Sequence, residues 1–252
     1  FRACAGPEEA LSFSMSDDAL RALARIDALG DDEERARLLV GLARRGQLEL
    51  PELKLRVWLH DPAARLAWEG LGEEELPPTL AEIERAQREK ALARDPAARP
   101  HDLPPAILHR LFGRAWARGL APLGVPAAAR VSLAAFRVGE ERLGPELLPA
   151  IWPELRRAAE RWLEGRRDEV ADFDAFQHEL ATVPAEELRP AIDLAKALAV
   201  TLGSMTEIGA AEGAGAALAR VGAIWHQGTG EQDLTASDLQ AALRRHLPPT
   251  RP

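Results

Sequence analysis

The feature that most limits how this chain folds is its punctuation. Short runs of Ala, Leu, Arg and Glu are cut again and again by glycine, proline or a capping Ser, Thr or Asp. The run residues are strong helix formers, and the interrupters are the residues that start and stop helices. Ser16-Asp17-Asp18 reads as an N-cap with an acidic first turn, followed by Leu20, Leu23 and Ile26 on one face and a stop at Gly30. Asp31-Asp32 opens the next helix, with Leu38, Leu39 and Leu42 turned to the core. Pro51 and Pro62 stand in the first turns of two short helices, the second carrying Leu66 and Trp68 and ending at Gly70. Thr79 caps the run TLAEIERAQREKALARD, in which Leu80, Ile83 and Leu92 face inward. There Glu84 and Arg88 form an i,i+4 pair on a largely solvated surface. Ser237 caps the last helix. Runs rich in Val, Ile, Thr and aromatics, which build strands, are missing, and tyrosine is absent. The expected fold is all-α, an antiparallel bundle or irregular repeat-like array of about ten helices. No strict repeat period is present, which favours the bundle.

One stretch breaks the pattern. DPAARPHDLPP, residues 95–105, holds four prolines, which a helix interior does not accept. It is expected to form a Pro-rich elbow over 96–105 between an N-terminal helical subdomain, 16–95, and a C-terminal one, 106–252. Residues 1–15 read as a leader remnant or cloning artefact, with Ser16 the first residue of the folded chain.

The net charge is −8, which disfavours non-specific attraction to nucleic acid or an anionic membrane. No apolar run is expected to span a bilayer. The single cysteine, Cys4, excludes an internal disulfide and fits a reducing, cytoplasmic compartment.

Two His-Asp steps invite a metal reading. A metal-dependent helical hydrolase using His60, His101 and Asp102 needs its His-Asp pair inside a helix. Here Pro62 follows Asp61, and His101-Asp102 lies among prolines. The simpler expectation is a corner: Asp61 N-caps the helix that begins at Pro62, and His60 ends the one before. The remaining ligand spacings fail as well, so no metal and no cofactor are expected. A helix-turn-helix DNA binder through residues 42–60 is a further alternative. It has Arg44, Arg45, Lys54 and Arg56 as its cations, but Glu49 and Glu52 interrupt them. Gly209, Gly213 and Gly215 lack the strand and the glycine order of a phosphate loop and are expected to permit close helix packing. The six tryptophans sit at helical spacing and are expected in the core.

LARRG at 42–46, the AARLA helix at 63–67, and the blocks AAARVSLAAF and LRRAAERWLEG together resemble segments of bacterial helical proteins, some of which look like toxin-immunity proteins. The resemblance implies a bacterial helical protein and points to a protein partner. The expectation is a non-catalytic protein-interaction module, an immunity-like protein that neutralises a toxin. Its acidic positions Asp31, Asp32, Glu73, Glu74 and Glu75 would meet a basic partner, because complementary charge speeds encounter.

Overall fold

A computed structural model of the chain describes residues 16–73, 75–94, 109–166, 172–183, 186–204, 206–227 and 233–248. The Pro-rich elbow, Cys4, His101, Asp102 and Glu74 lie outside them. Among the described residues every regular element is helical, so the fold is all-α.

Caps set most boundaries. Ser16 Oγ accepts from Ala19 N–H to open α1 (Asp17–Asp27), and Asp31 caps α2 (Asp32–Arg44). Pro51 lies in the first turn of α3 (Leu50–Trp58) and Pro62 in that of α4 (Pro62–Leu71). α4 runs one residue past Gly70 and closes on Gly72, whose φ of 77° is the left-handed conformation glycine adopts without strain. Thr79 and Glu82 form a reciprocal capping box before α5 (Leu80–Arg94). A single π-turn leads into α6 (Arg114–Leu120), and α7 (Gly124–Leu143) follows. The rest are α8 (Trp152–Leu163), α9 (Phe173–Thr182), α10 (Arg189–Gly203), α11 (Glu207–His226) and α12 (Ser237–His246). The last differs from expectation: Ala236 occupies the N-cap, and Ser237 is already helical.

Two hydrophobic clusters form. The first joins α1 to α4 through Leu23, Ile26, Leu39, Leu53, Val57 and Trp68. The second holds α6 to α12, with α11 laid along α7 and α10. α3 serves both, because Leu53 and Val57 face one cluster while Leu55, Trp58 and Leu59 face the other. α5 sides with the C-terminal helices: Leu80 is in the second cluster. Its Glu84, expected on a solvated surface, is buried, where it accepts from Arg88, from Leu234 N–H and from the Thr235 hydroxyl. The short i,i+4 pair seen in sequence is therefore half of a clasp across 150 residues. Leu38, Leu66 and Leu92, expected inside, are 41%, 42% and 43% exposed, because their helices turn an adjacent face to the core. All six tryptophans are buried; Trp152 stacks on Phe136 with ring centroids 3.7 Å apart.

The helical run Leu111–Leu143 is, among the described residues, the one long and apolar enough to cross a membrane, contrary to the expectation that none is. Here its Ala, Leu, Val and Phe side chains form the centre of the second cluster.

The glycines of α11 are places of close approach. A Cβ at Gly213 would stand 2.8 Å from the backbone nitrogen of Thr201 in α10, and one at Gly215 would overlap the carbonyl oxygen of Gly113. Both obstacles are backbone and cannot rotate away. Gly215→Ala is expected to cost about 1–3 kcal/mol through overpacking. That corresponds to a melting temperature lower by roughly 2–10 °C. Gly30→Ala, with nothing within 4 Å of its added Cβ, serves as the neutral control in the same calorimetric measurement.

Candidate functional site

A cavity of about 750 Å³ lies between the helices of the two clusters. α1 supplies Leu20, Arg21, Leu23 and Asp27 to its wall, α2 supplies Arg35, and α3 supplies Glu52, Arg56 and Leu59. Asp61 comes from the α3–α4 corner, Arg130 from α7, and Arg244, Arg245 and Leu247 from α12 and the residue after it. With Asp17 included, the wall holds six arginines and four carboxylates, and Asp18 and Asp32 just beside it pair with Arg21 and Arg35.

The floor is a continuous ion-pair network. Arg56 grips Asp27 through both Nη atoms, at 2.7 and 3.0 Å, and donates Nε to Glu52 at 3.2 Å. Arg130 binds both Glu52 oxygens and donates Nε to the carbonyl of Pro248 at 2.7 Å. Arg35 donates to Asp32 at 2.7 Å and to Asp61 at 3.2 Å, while its Nε is buried without a hydrogen bond among the described residues. Burial pushes the Glu52 carboxyl up, but the guanidiniums of Arg130 and then Arg56 outweigh it and bring its pKa down to about 2. Burial likewise works against the charge on Arg56, and Asp27, Glu52 and Asp61 overcome it, so its pKa is raised.

Arg244 and the exposed Arg245 have no carboxylate partner among the described residues, and of the two Arg244 is half-buried. Its Nη1 donates to the carbonyls of Leu59 and His60, both at 2.8 Å, and no carboxylate among the described residues comes within ion-pair distance. Its pKa is lowered: burial dominates, Asp61 opposes it, and Arg35 adds to the lowering. The two carbonyls are turned toward it by the corner itself, where His60 takes a left-handed φ of 59°.

His60-Asp61 is thus a corner, as read from the sequence. Asp61 Oδ1 caps α4 on Ala63 N–H, and His60 is exposed. Its second function was hidden, since Asp61 Oδ2 holds Arg35 and lies 3.8 Å from Arg56. Among the described residues no group of three potential metal ligands gathers. The cations of the 42–60 reading are engaged within the fold. Arg44 donates to Gly70 O, Arg45 to Gln47, Lys54 lies over the Trp68 ring, and Arg56 belongs to the buried network. Asp31 and Asp32 serve α2, as cap and as partner of Arg35, while Glu73 and Glu75 are exposed.

The chain matches no family model, no curated protein and no solved structure. The site rests on its own geometry.

Sequence reasoning passed over the network, although one signal was present. Arg130 stands inside AAARVSLAAF, all of whose residues are buried. A lone arginine within a buried run requires a buried partner.

Proposed function

We propose that this protein is a non-catalytic binding module and that its ligand carries an anionic group held in the cavity between the two clusters. The observation behind this is Arg244, a half-buried guanidinium in a cavity of ligand size, partnered by two carbonyls and no carboxylate. Arg21, Arg35, Arg56 and Arg130 have carboxylates already and Arg245 is exposed; Arg244 is the half-buried guanidinium with charge to offer. Glu52 supports binding over proton transfer, because, held at about 2, it stays ionised at neutral pH and makes a poor general base. A basic partner docked on Glu73 and Glu75 would leave the cavity and Arg244 unused, which is why the anionic ligand is preferred.

The test is titration calorimetry at low ionic strength with inorganic phosphate and acetate, with spermidine as the cationic control. The anions bind and spermidine does not. Arg244→Gln weakens binding by roughly 10- to 100-fold, the loss expected of a charged hydrogen bond, with unchanged circular dichroism. Arg244→Lys retains part of the affinity. Indifference to every anion, or an Arg244→Gln variant that binds like the parent, overturns the reading.

A further inference from the structure

We infer that the cavity is built for an amphipathic organic anion, with one carboxylate or phosphate head at Arg244 and an apolar body lying on the half-buried Leu20 and Leu247, which the buried Leu23 and Leu59 back. This rests on the anionic reading above and adds the chemistry of the rest of the ligand.

The apolar wall comes from both halves of the molecule. Leu20 and Leu23 belong to α1 and pack with the first cluster; Leu59 and Leu247 pack with the second. Leu20 and Leu247 are only half-buried, so each keeps part of its surface turned away from its own cluster. An inorganic anion would neutralise the guanidinium and leave this apolar surface in water. A ligand with an apolar body covers it, and each buried methylene adds to binding. The volume, about 750 Å³, falls in the range that encloses a small organic molecule and far exceeds what a lone oxyanion fills.

The head has a defined place. Arg244 already spends one nitrogen on the Leu59 and His60 carbonyls, which fixes the guanidinium plane and leaves Nε and Nη2 for the ligand. Arg35, also in the wall, has a buried Nε with no hydrogen bond among the described residues. The edge of the Arg244 guanidinium left by the two carbonyls suits one bidentate anionic head, and Arg35 adds positive charge to the same wall. The carboxylates of the floor are occupied by Arg56, Arg130 and Arg35 and would repel a second anionic group placed deeper.

The experiment is a chain-length series measured by titration calorimetry on the full chain: acetate, hexanoate and decanoate, with inorganic phosphate and decyltrimethylammonium as comparisons. Affinity is expected to rise about threefold for each methylene that reaches the wall, so that decanoate binds at least 100-fold tighter than acetate. Leu247→Ser, in the segment after α12, flattens this dependence. If acetate and phosphate bind as tightly as decanoate, the apolar body is wrong and the anionic site stands. If no anion binds, both readings fall. If decyltrimethylammonium matches decanoate, the head assignment is wrong and the anionic reading goes with it.

Discussion

Replacing Arg130 with methionine is expected to lower the unfolding free energy by about 3–5 kcal/mol, the range for breaking a buried ion pair from one side. Arg130 lies in the middle of α7 with its side chain 7% exposed, and the Glu52 side chain it binds is 6% exposed. Methionine fills much of the same volume, so the loss is electrostatic rather than a matter of packing. It strands a buried carboxylate beside Arg56 and leaves the Pro248 carbonyl without its donor. The contact also joins α3 to α7 and to Pro248 beyond α12, so the damage is not local. The double variant Glu52→Leu, Arg130→Met removes both charges, and Arg56 keeps its two-point grip on Asp27. It is expected to recover most of the lost stability. Urea denaturation of the parent, both single variants and the double variant yields the coupling energy. A single variant within about 1 kcal/mol of the parent would show that the pair contributes no more than an exposed one.

Acid is expected to remove the same interaction by protonation. Glu52 titrates at about 2 in the folded protein, against 4.5 for a free glutamate. Its folded pKa is depressed, so its contribution is complete above pH 4.5 and is lost as pH falls from there through 2. Over that window the unfolded chain binds a proton that the folded chain refuses. The amount is on the order of 3 kcal/mol. Glu52→Gln lacks this proton linkage. The gap in stability between parent and variant should be widest at neutral pH and close progressively between pH 4.5 and 2, followed by urea denaturation at each pH. A gap that stays constant down to pH 2 would contradict the depressed carboxyl.

The helical class and many helix starts were legible in the chain because capping is a matter between a residue and its neighbours two or three positions on. Ser16, Asp31, Asp61 and Thr79 each close such a local bond. Where the local rule failed, at Ser237, Ala236 took the cap position instead. Which leucine of a helix faces inward was less legible. Leu38 and Leu39 are equally apolar, and only the seat of α2 on α4 buries one and exposes the other.

The candidate site belongs to the tertiary structure almost entirely. The sequence by itself determined that Asp61 would cap a helix. It contained nothing to select Glu52 from among the acidic residues, or to bring Arg244 within 2.8 Å of two carbonyls at the His60 corner. Those meetings join residues 78 and 184 positions apart. Helix periodicity and capping act over three or four residues and mark the chain directly. An ion pair between helices exists only after hydrophobic burial has fixed how α3, α7 and α12 lie against one another, and that arrangement is a property of the whole core.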